Sequence, residues 1–211
     1  MSDTVSSKDI IGMILAAVKK IEANHEELSR LDGATGDGDH GTTMLRTVKA
    51  VEGAINANQD ASLKDLMGKI AWDVMSADGG STGPLLGSFF MGMGEGVADT
   101  DAFNSEDVAK IIIAGVEKMH KQSRAQIGDK TMMDALLPAV DALKNADAGS
   151  TVAATLADAA KAAKEGSEAT VDMTAKFGRA RNLGERVLGH KDPGSVSMAL
   201  MLEAFSESIS K

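Results

Sequence analysis

The sequence predicts an all-α protein of eight helices. Three observations carry that expectation. Apolar residues recur at three- and four-residue spacing, as on one face of a helix. No segment alternates apolar and polar residues in the manner of a half-buried strand. Tyrosine is absent and aromatics are 3% of the chain, which starves a β-sandwich of its usual residues.

The elements follow in order. Ile10, Ile11, Ile14, Leu15, Val18 and Ile21 form one stripe, predicting a helix over 8–28. A glycine- and aspartate-rich loop is expected at 30–41, then helices over 40–55 and 62–75, the latter capped by Ser62. A second glycine-rich loop, Asp78-Gly79-Gly80-Ser81-Thr82-Gly83-Pro84, leads into a helix over 85–95, with Pro84 suited to its first turn. Ser105 is read as the cap of a helix over 106–122, Asp129 as the cap of one over 130–145 containing Pro138, and Ser150 as the cap of an alanine-rich helix over 151–167. Residues 169–191 read as irregular. Asp192-Pro193 is a cap followed by proline, starting a last helix to 209. Short connections make most neighbouring helices antiparallel. No linker or composition break interrupts the chain, so one domain over 1–211 is expected, although two four-helix bundles satisfy the same pattern.

Composition narrows the function. Of the 211 residues, 43% are apolar, enough for a core, and the formal net charge is −9. That charge argues against nucleic acid or an anionic membrane as partner, both of which call for a basic surface. A phosphate bound to so acidic a chain needs metal ions or backbone N–H groups beside it. With no cysteine, disulfides, zinc–thiolate sites and thiol nucleophiles are excluded. The polar stretch 1–7 does not read as a signal peptide and no apolar run reaches the length of a membrane span, so the cytoplasm is the expected compartment.

The densest chemistry lies in Leu31-Asp32-Gly33-Ala34-Thr35-Gly36-Asp37-Gly38-Asp39-His40-Gly41-Thr42-Thr43. Glycines let such a loop fold back and converge its three aspartates, whose mutual repulsion is relieved by a hard cation, Mg²⁺ or Ca²⁺. The spacing does not fit an EF-hand. His40-Gly41-Thr42-Thr43 then opens a helix whose free N–H groups and hydroxyls suit a phosphate. A solvated aspartate–glycine turn satisfies the same residues. Ser81 and Thr82 sit in the second glycine-rich loop, which is either a phosphate cradle or a tight helix connection, and it lacks the Gly-Lys-Ser/Thr ending of a Walker loop. Arg179, Arg181, Arg186, His190 and Lys191 form a local basic cluster, suited to phosphate or to surface ion pairs.

Four segments together resemble the L-type, nucleotide-binding subunit family of dihydroxyacetone kinase. They are Gly36-Asp37-Gly38-Asp39-His40-Gly41, Gly80-Ser81-Thr82-Gly83-Pro84-Leu85, Gly128-Asp129-Lys130-Thr131-Met132, and Leu183-Gly184-Glu185-Arg186 with Gly189-His190 and Asp192-Pro193-Gly194. The resemblance implies an antiparallel eight-helix barrel with a nucleotide site at one end. It implies ADP or ATP as cofactor and two Mg²⁺ ions held by Asp32, Asp37 and Asp39, the metal-holding catalytic centre. It puts His40, Gly41, Thr42, Thr43, Ser81 and Thr82 at the phosphates, Met132 and Arg179 near the nucleotide, and Asp192, Pro193 and Gly194 on its other side. Ser123 stands where the family often has a glycine, and Phe177-Gly178-Arg179-Ala180-Arg181-Asn182 departs from the family's usual run, so the adenine edge differs from the common pattern. Three aspartates against two Mg²⁺ leave a site of about +1, able to accept a polyphosphate.

A chain of this size resembles the phosphotransferase-system type, in which bound ADP is a held cofactor. A phospho-histidine M subunit would then supply phosphate and a K subunit would present dihydroxyacetone. A transcription regulator is a further implied partner, and a homodimer is compatible with the resemblance. The competing readings are the nucleotide domain of an ATP-exchanging kinase for another small substrate and a regulatory helical module.

Overall fold

The computed structural model describes residues 4–77 and 80–209. Asp78 and Gly79 of the expected second loop lie outside the described residues. The α-helices are α1 (Ser7–Thr35), α2 (His40–Ala57), α3 (Leu63–Ser76), α4 (Thr82–Gly96), α5 (Ser105–Ser123), α6 (Met133–Lys144), α7 (Val152–Ala169) and α8 (Pro193–Ile209). Between α7 and α8 run the 3₁₀ stretches Thr170–Asp172 and Ala180–Val187, the second interrupted at Gly184, where φ is +58°. The only bridge of strand type among the described residues pairs Val5 with Phe103.

Each helix packs on the next from α1 to α8, and α8 returns to pack on α1, so the ring closes. The stripe read on the first helix is the reason. Of that stripe Ile10, Ile14, Val18 and Ile21 are buried and Ile11 and Leu15 half-buried; Met13, Ala17 and Leu28 of α1 join the buried face, as do their counterparts on the other helices, among them Phe89, Met93, Ile112, Leu136, Leu156 and Phe205. Burying a side chain of this kind contributes roughly 1.5–3 kcal/mol, so the shared interior, not helix propensity, holds the ring together. No helix among the described residues is long and apolar enough to cross a membrane.

Several boundaries differ from those expected. The first helix runs to Thr35, not to 28, because Leu28 and Thr35 are both buried and keep the helical face on the core. An exposed glycine such as Gly33 costs about 1 kcal/mol in a helix, less than that burial contributes. The fourth helix starts at Thr82, earlier than 85. Asn104, not Ser105, caps α5, its side chain accepting from the Asp107 N–H at 3.0 Å while the Asp107 carboxylate accepts from the Asn104 N–H. Thr151, not Ser150, caps α7, and Ser62 caps α3 as expected. Asp129 caps nothing. The sixth helix starts at Met133, and Asp129 belongs to the tight turn before it.

Alternation around a closed ring has one consequence for function. The starts of α2, α4, α6 and α8 lie at one end with the finishes of α1, α3, α5 and α7. Four helix N-termini, each carrying about half a positive charge, therefore open on the same end.

Candidate functional site

At that end α1 runs into α2 through four residues, Gly36 to Asp39. Asp32 stands on the last turn of α1. Its Oδ2 accepts from the N–H of Asp39 at 2.9 Å and of His40 at 3.1 Å, so one carboxylate both closes the loop and caps the start of α2. Asp39 occupies the N-cap position yet makes no side-chain cap bond, which leaves its carboxylate facing out. Gly38, at φ +78°, makes the turn between Asp37 and Asp39. Each of the three aspartates offers an oxygen, and these oxygens lie within 4.8 Å of one another. This hard, all-oxygen set fits Mg²⁺ or Ca²⁺.

The start of α2 reaches the site because Gly41 lies directly on α1. A Cβ at Gly41 would run into the carbonyl oxygen of His25 and the hydroxyl of Ser29. The His40 N–H serves Asp32 and the Thr43 N–H serves the Asp39 carbonyl at 2.9 Å. That leaves the Gly41 and Thr42 N–H groups as open donors of the first turn. Thr42 is exposed. Thr43 is buried, its hydroxyl accepting from Arg46 at 3.3 Å. His40 points inward, its Nε2 lying 3.1 Å from the Ser197 hydroxyl of α8, and burial pushes its imidazole below the usual pKa against the opposing charge of Asp32. Ser81 and Thr82 stand at the start of α4, Ser81 exposed and Thr82 half-buried.

The opposite wall combines the turn before α6 with the return to α8. Met132 precedes α6. A Cβ on Gly194 would lie 3.1 Å from the Asp192 Oδ2 and 3.6 Å from the Met132 Cβ, so Met132 meets Asp192 and Gly194 although it lies about 60 residues before them. Asp192 accepts from the Ser195 N–H at 2.6 Å, which caps α8, and Pro193 is buried behind it. Desolvation pushes the Asp192 carboxyl up to about 7. The Ser195 N–H and the Lys130 ammonium oppose that shift, and the charges of Asp134 and Asp32 reinforce it. Arg179 crosses to the aspartates, its guanidinium paired with Asp37 and 3.6 Å from Asp39. One cation thus partly offsets three carboxylates. Ser123 ends α5 at the same end of the ring, and its recorded contact is local, accepting from the Ala125 N–H at 3.4 Å.

Sequence reasoning quoted Lys130 within a motif of the resemblance but gave it no role, and did not single out Asp134 or Ser197, which also hold this wall. Lys130 is 2% exposed and backbone-strained at φ +57°. Asp134, 1% exposed, accepts from the N–H of Gly128 at 2.6 Å and of Thr131 at 2.7 Å, tying the turn to α6. Its signal was available, since Asp134 is a lone charge inside the apolar run Met133 to Leu136. Ser197 had no comparable mark.

Comparison with known proteins gives the family of the chain. The DAK2 domain description matches residues 34–207. The chain is 35% identical over 216 residues to the PEP-dependent dihydroxyacetone kinase 2, ADP-binding subunit DhaL, of Listeria innocua, covering 100% of this chain and 99% of that one. It is 29% identical over 201 residues to the corresponding ADP-binding subunit DhaL of Escherichia coli, covering 95% and 96%. The L-erythrulose 1-kinase of Mycolicibacterium smegmatis is 34% identical over 212 residues, covering 97% of this chain but 36% of that larger protein. Among solved structures, the dihydroxyacetone kinase from C. freundii in complex with AMP-PNP and Mg²⁺ superposes with a TM-score of 0.72 at 25% identity, over 99% of this chain and 35% of that one. The resemblance carried by the four motifs is borne out: the chain belongs to the DAK2 domain family, with the ADP-binding subunits of dihydroxyacetone kinase among its relatives.

Proposed function

We propose that this chain is the ADP-binding subunit of a dihydroxyacetone kinase, working as one nucleotide-binding domain in the cytoplasm. It relays a phosphoryl group from a phospho-histidine protein of the phosphotransferase system to dihydroxyacetone held on a separate K subunit. The observation that carries the reading is the convergence of the Asp32, Asp37 and Asp39 carboxylates on the N-terminus of α2. Family membership and the names of full-length relatives support it.

Each residue then has a task. Asp32, Asp37 and Asp39 would hold two Mg²⁺ ions, with Asp32 also fixing the loop. The N–H groups of Gly41 and Thr42 and the Thr42 hydroxyl would receive phosphate oxygens; His40 and Thr43, also expected at the phosphates, turn to Ser197 and Arg46 and hold the first turn of α2. Ser81 and Thr82 would meet the phosphates from the start of α4. Met132 would lie against the base, with Ser123 at its edge, and Asp192, Pro193 and Gly194 would close the other side. Arg179, paired here with Asp37, would be released to meet the phosphates where cations held that carboxylate. Bound Mg-ADP would accept the phosphoryl group to become Mg-ATP, which would then donate it to dihydroxyacetone and return to Mg-ADP. The protein contributes positioning and electrostatics, and no side chain has to act as a general base.

The test is a reconstituted relay with phosphoenolpyruvate, the phosphotransferase-system carriers, a K subunit and dihydroxyacetone, with no free ATP. Many turnovers of dihydroxyacetone phosphate per molecule of this chain are expected. A strict requirement for stoichiometric ATP would instead indicate an ATP-exchanging kinase subunit.

A further inference from the structure

The 170–192 excursion is held at its base by a buried cation. The Lys130 ammonium donates to the Thr170 carbonyl and, at 2.5 Å, to the His190 carbonyl. These acceptors are the first and nearly the last residues of the excursion. Around them the Thr170 hydroxyl donates to the Ser167 carbonyl at 2.6 Å and accepts from the Asp192 N–H at 2.9 Å, and the Gly189 N–H donates to the Val171 carbonyl at 2.9 Å. The neighbouring residue holds the outgoing arm. Asp129 pairs with Lys176 at 2.7 Å, and its carbonyl accepts from the Lys176 N–H at 3.1 Å. Beyond these anchors, Phe177 to Arg179, Arg181 and Arg186 are exposed, and Arg179 reaches the aspartate cluster.

An ammonium is costly to desolvate, and a surface position would leave it in water. Lysine nevertheless sits at 2% exposure in a left-handed backbone conformation that disfavours side chains. The compensation is local. The ammonium offers three donors from one compact point, which suits two carbonyls arriving from different directions better than a planar guanidinium would. The carboxylates of Asp192, Asp134 and Asp172 supply opposing charge.

We propose that Lys130 is a positioning residue that clamps both ends of the 170–192 excursion through the Thr170 and His190 carbonyls, and so sets where Asp192 and Arg179 stand at the mouth of the site. Its effect on nucleotide rests on the function proposed above, whereas its effect on the excursion does not.

Two measurements decide it. In the unaltered protein, Lys130 should be the last lysine to react in reductive methylation, at least tenfold slower than the exposed lysines. Reaction at their rate overturns the clamp. In Lys130→Met, which keeps the apolar stem and removes the donors, amide hydrogen exchange over 171–192 should rise about tenfold, with α1 to α4 changed less than twofold, and Mg-ADP should dissociate about tenfold faster. Lys130→Arg, which keeps the charge, should restore part of both. Unchanged exchange in the excursion, or an equal rise in every helix, overturns the proposal. If the unaltered protein binds no ADP, the functional reading fails while the exchange and methylation data still decide the clamp.

Discussion

Two connections meet at the open end of the ring and are held in opposite ways. The link from α1 to α2 is four residues long and fixes itself. Asp32 caps the helix that follows, Gly41 presses that helix onto α1, and the groups that hold the loop belong to the proposed site. The 170–192 connection is long, mostly exposed, and fixed from elsewhere, by Lys130 and Asp129 in the turn before α6. The short link is a rigid half-site. The long one is a wall whose position depends on remote bonds, and segments held by few contacts open most easily.

The largest expected effect comes from breaking the rigid half. Asp37→Ala removes one of three converging carboxylates without touching the core, and retained ADP should fall from near stoichiometric to undetectable, with the stabilisation by Mg-ADP lost alongside it. Unchanged nucleotide content in the purified variant would remove the metal bridge from the account. Gly41→Ala should follow, costing about 1–3 kcal/mol in denaturant unfolding, because a methyl group meets backbone that cannot rotate away. A loss below about 0.5 kcal/mol would mean that α2 does not need its close approach to α1.

The wall should show itself through pH. Asp192 has its carboxyl pushed up to about 7 in the folded, metal-free protein, against 3.8 for the ordinary group. A raised folded pKa contributes stability that is fully present below about 4 and is lost as pH rises through about 7, because the unfolded carboxyl ionises first. Between pH 4 and 8 the metal-free protein should therefore lose on the order of 2–4 kcal/mol relative to Asp192→Asn, which cannot ionise. Parallel stability curves for the two proteins would contradict this. The smallest effect belongs to Arg179→Gln. Its ion pair is largely exposed, so unfolding stability should change by less than about 1 kcal/mol. Removing the competing guanidinium should leave Mg²⁺ binding to the ADP-free protein, measured calorimetrically, no weaker than before.

The same contrast explains what the sequence made legible. The eight helices could be read because each carries its own apolar stripe, whereas their closure into a ring came only from the family resemblance; Asp32, Asp37 and Asp39 could be read because their chemistry is contiguous. Even there the turn was drawn too long, since aspartate and glycine in 32–34 suggest a loop until the burial of Thr35 is known. The role of Lys130, though not its place in a motif of the resemblance, was opaque for the reason that makes it interesting. Its partners lie 40 and 60 residues away and are backbone carbonyls, which carry no signature in the side-chain alphabet. His40 against Ser197 is a second case, joined across 157 residues by ring closure alone.

The most direct test of the central claim is the nucleotide content of the purified protein after long dialysis against buffer containing Mg²⁺. Close to one ADP per chain is expected. Protein that emerges empty and then takes up neither ADP nor ATP would contradict the account.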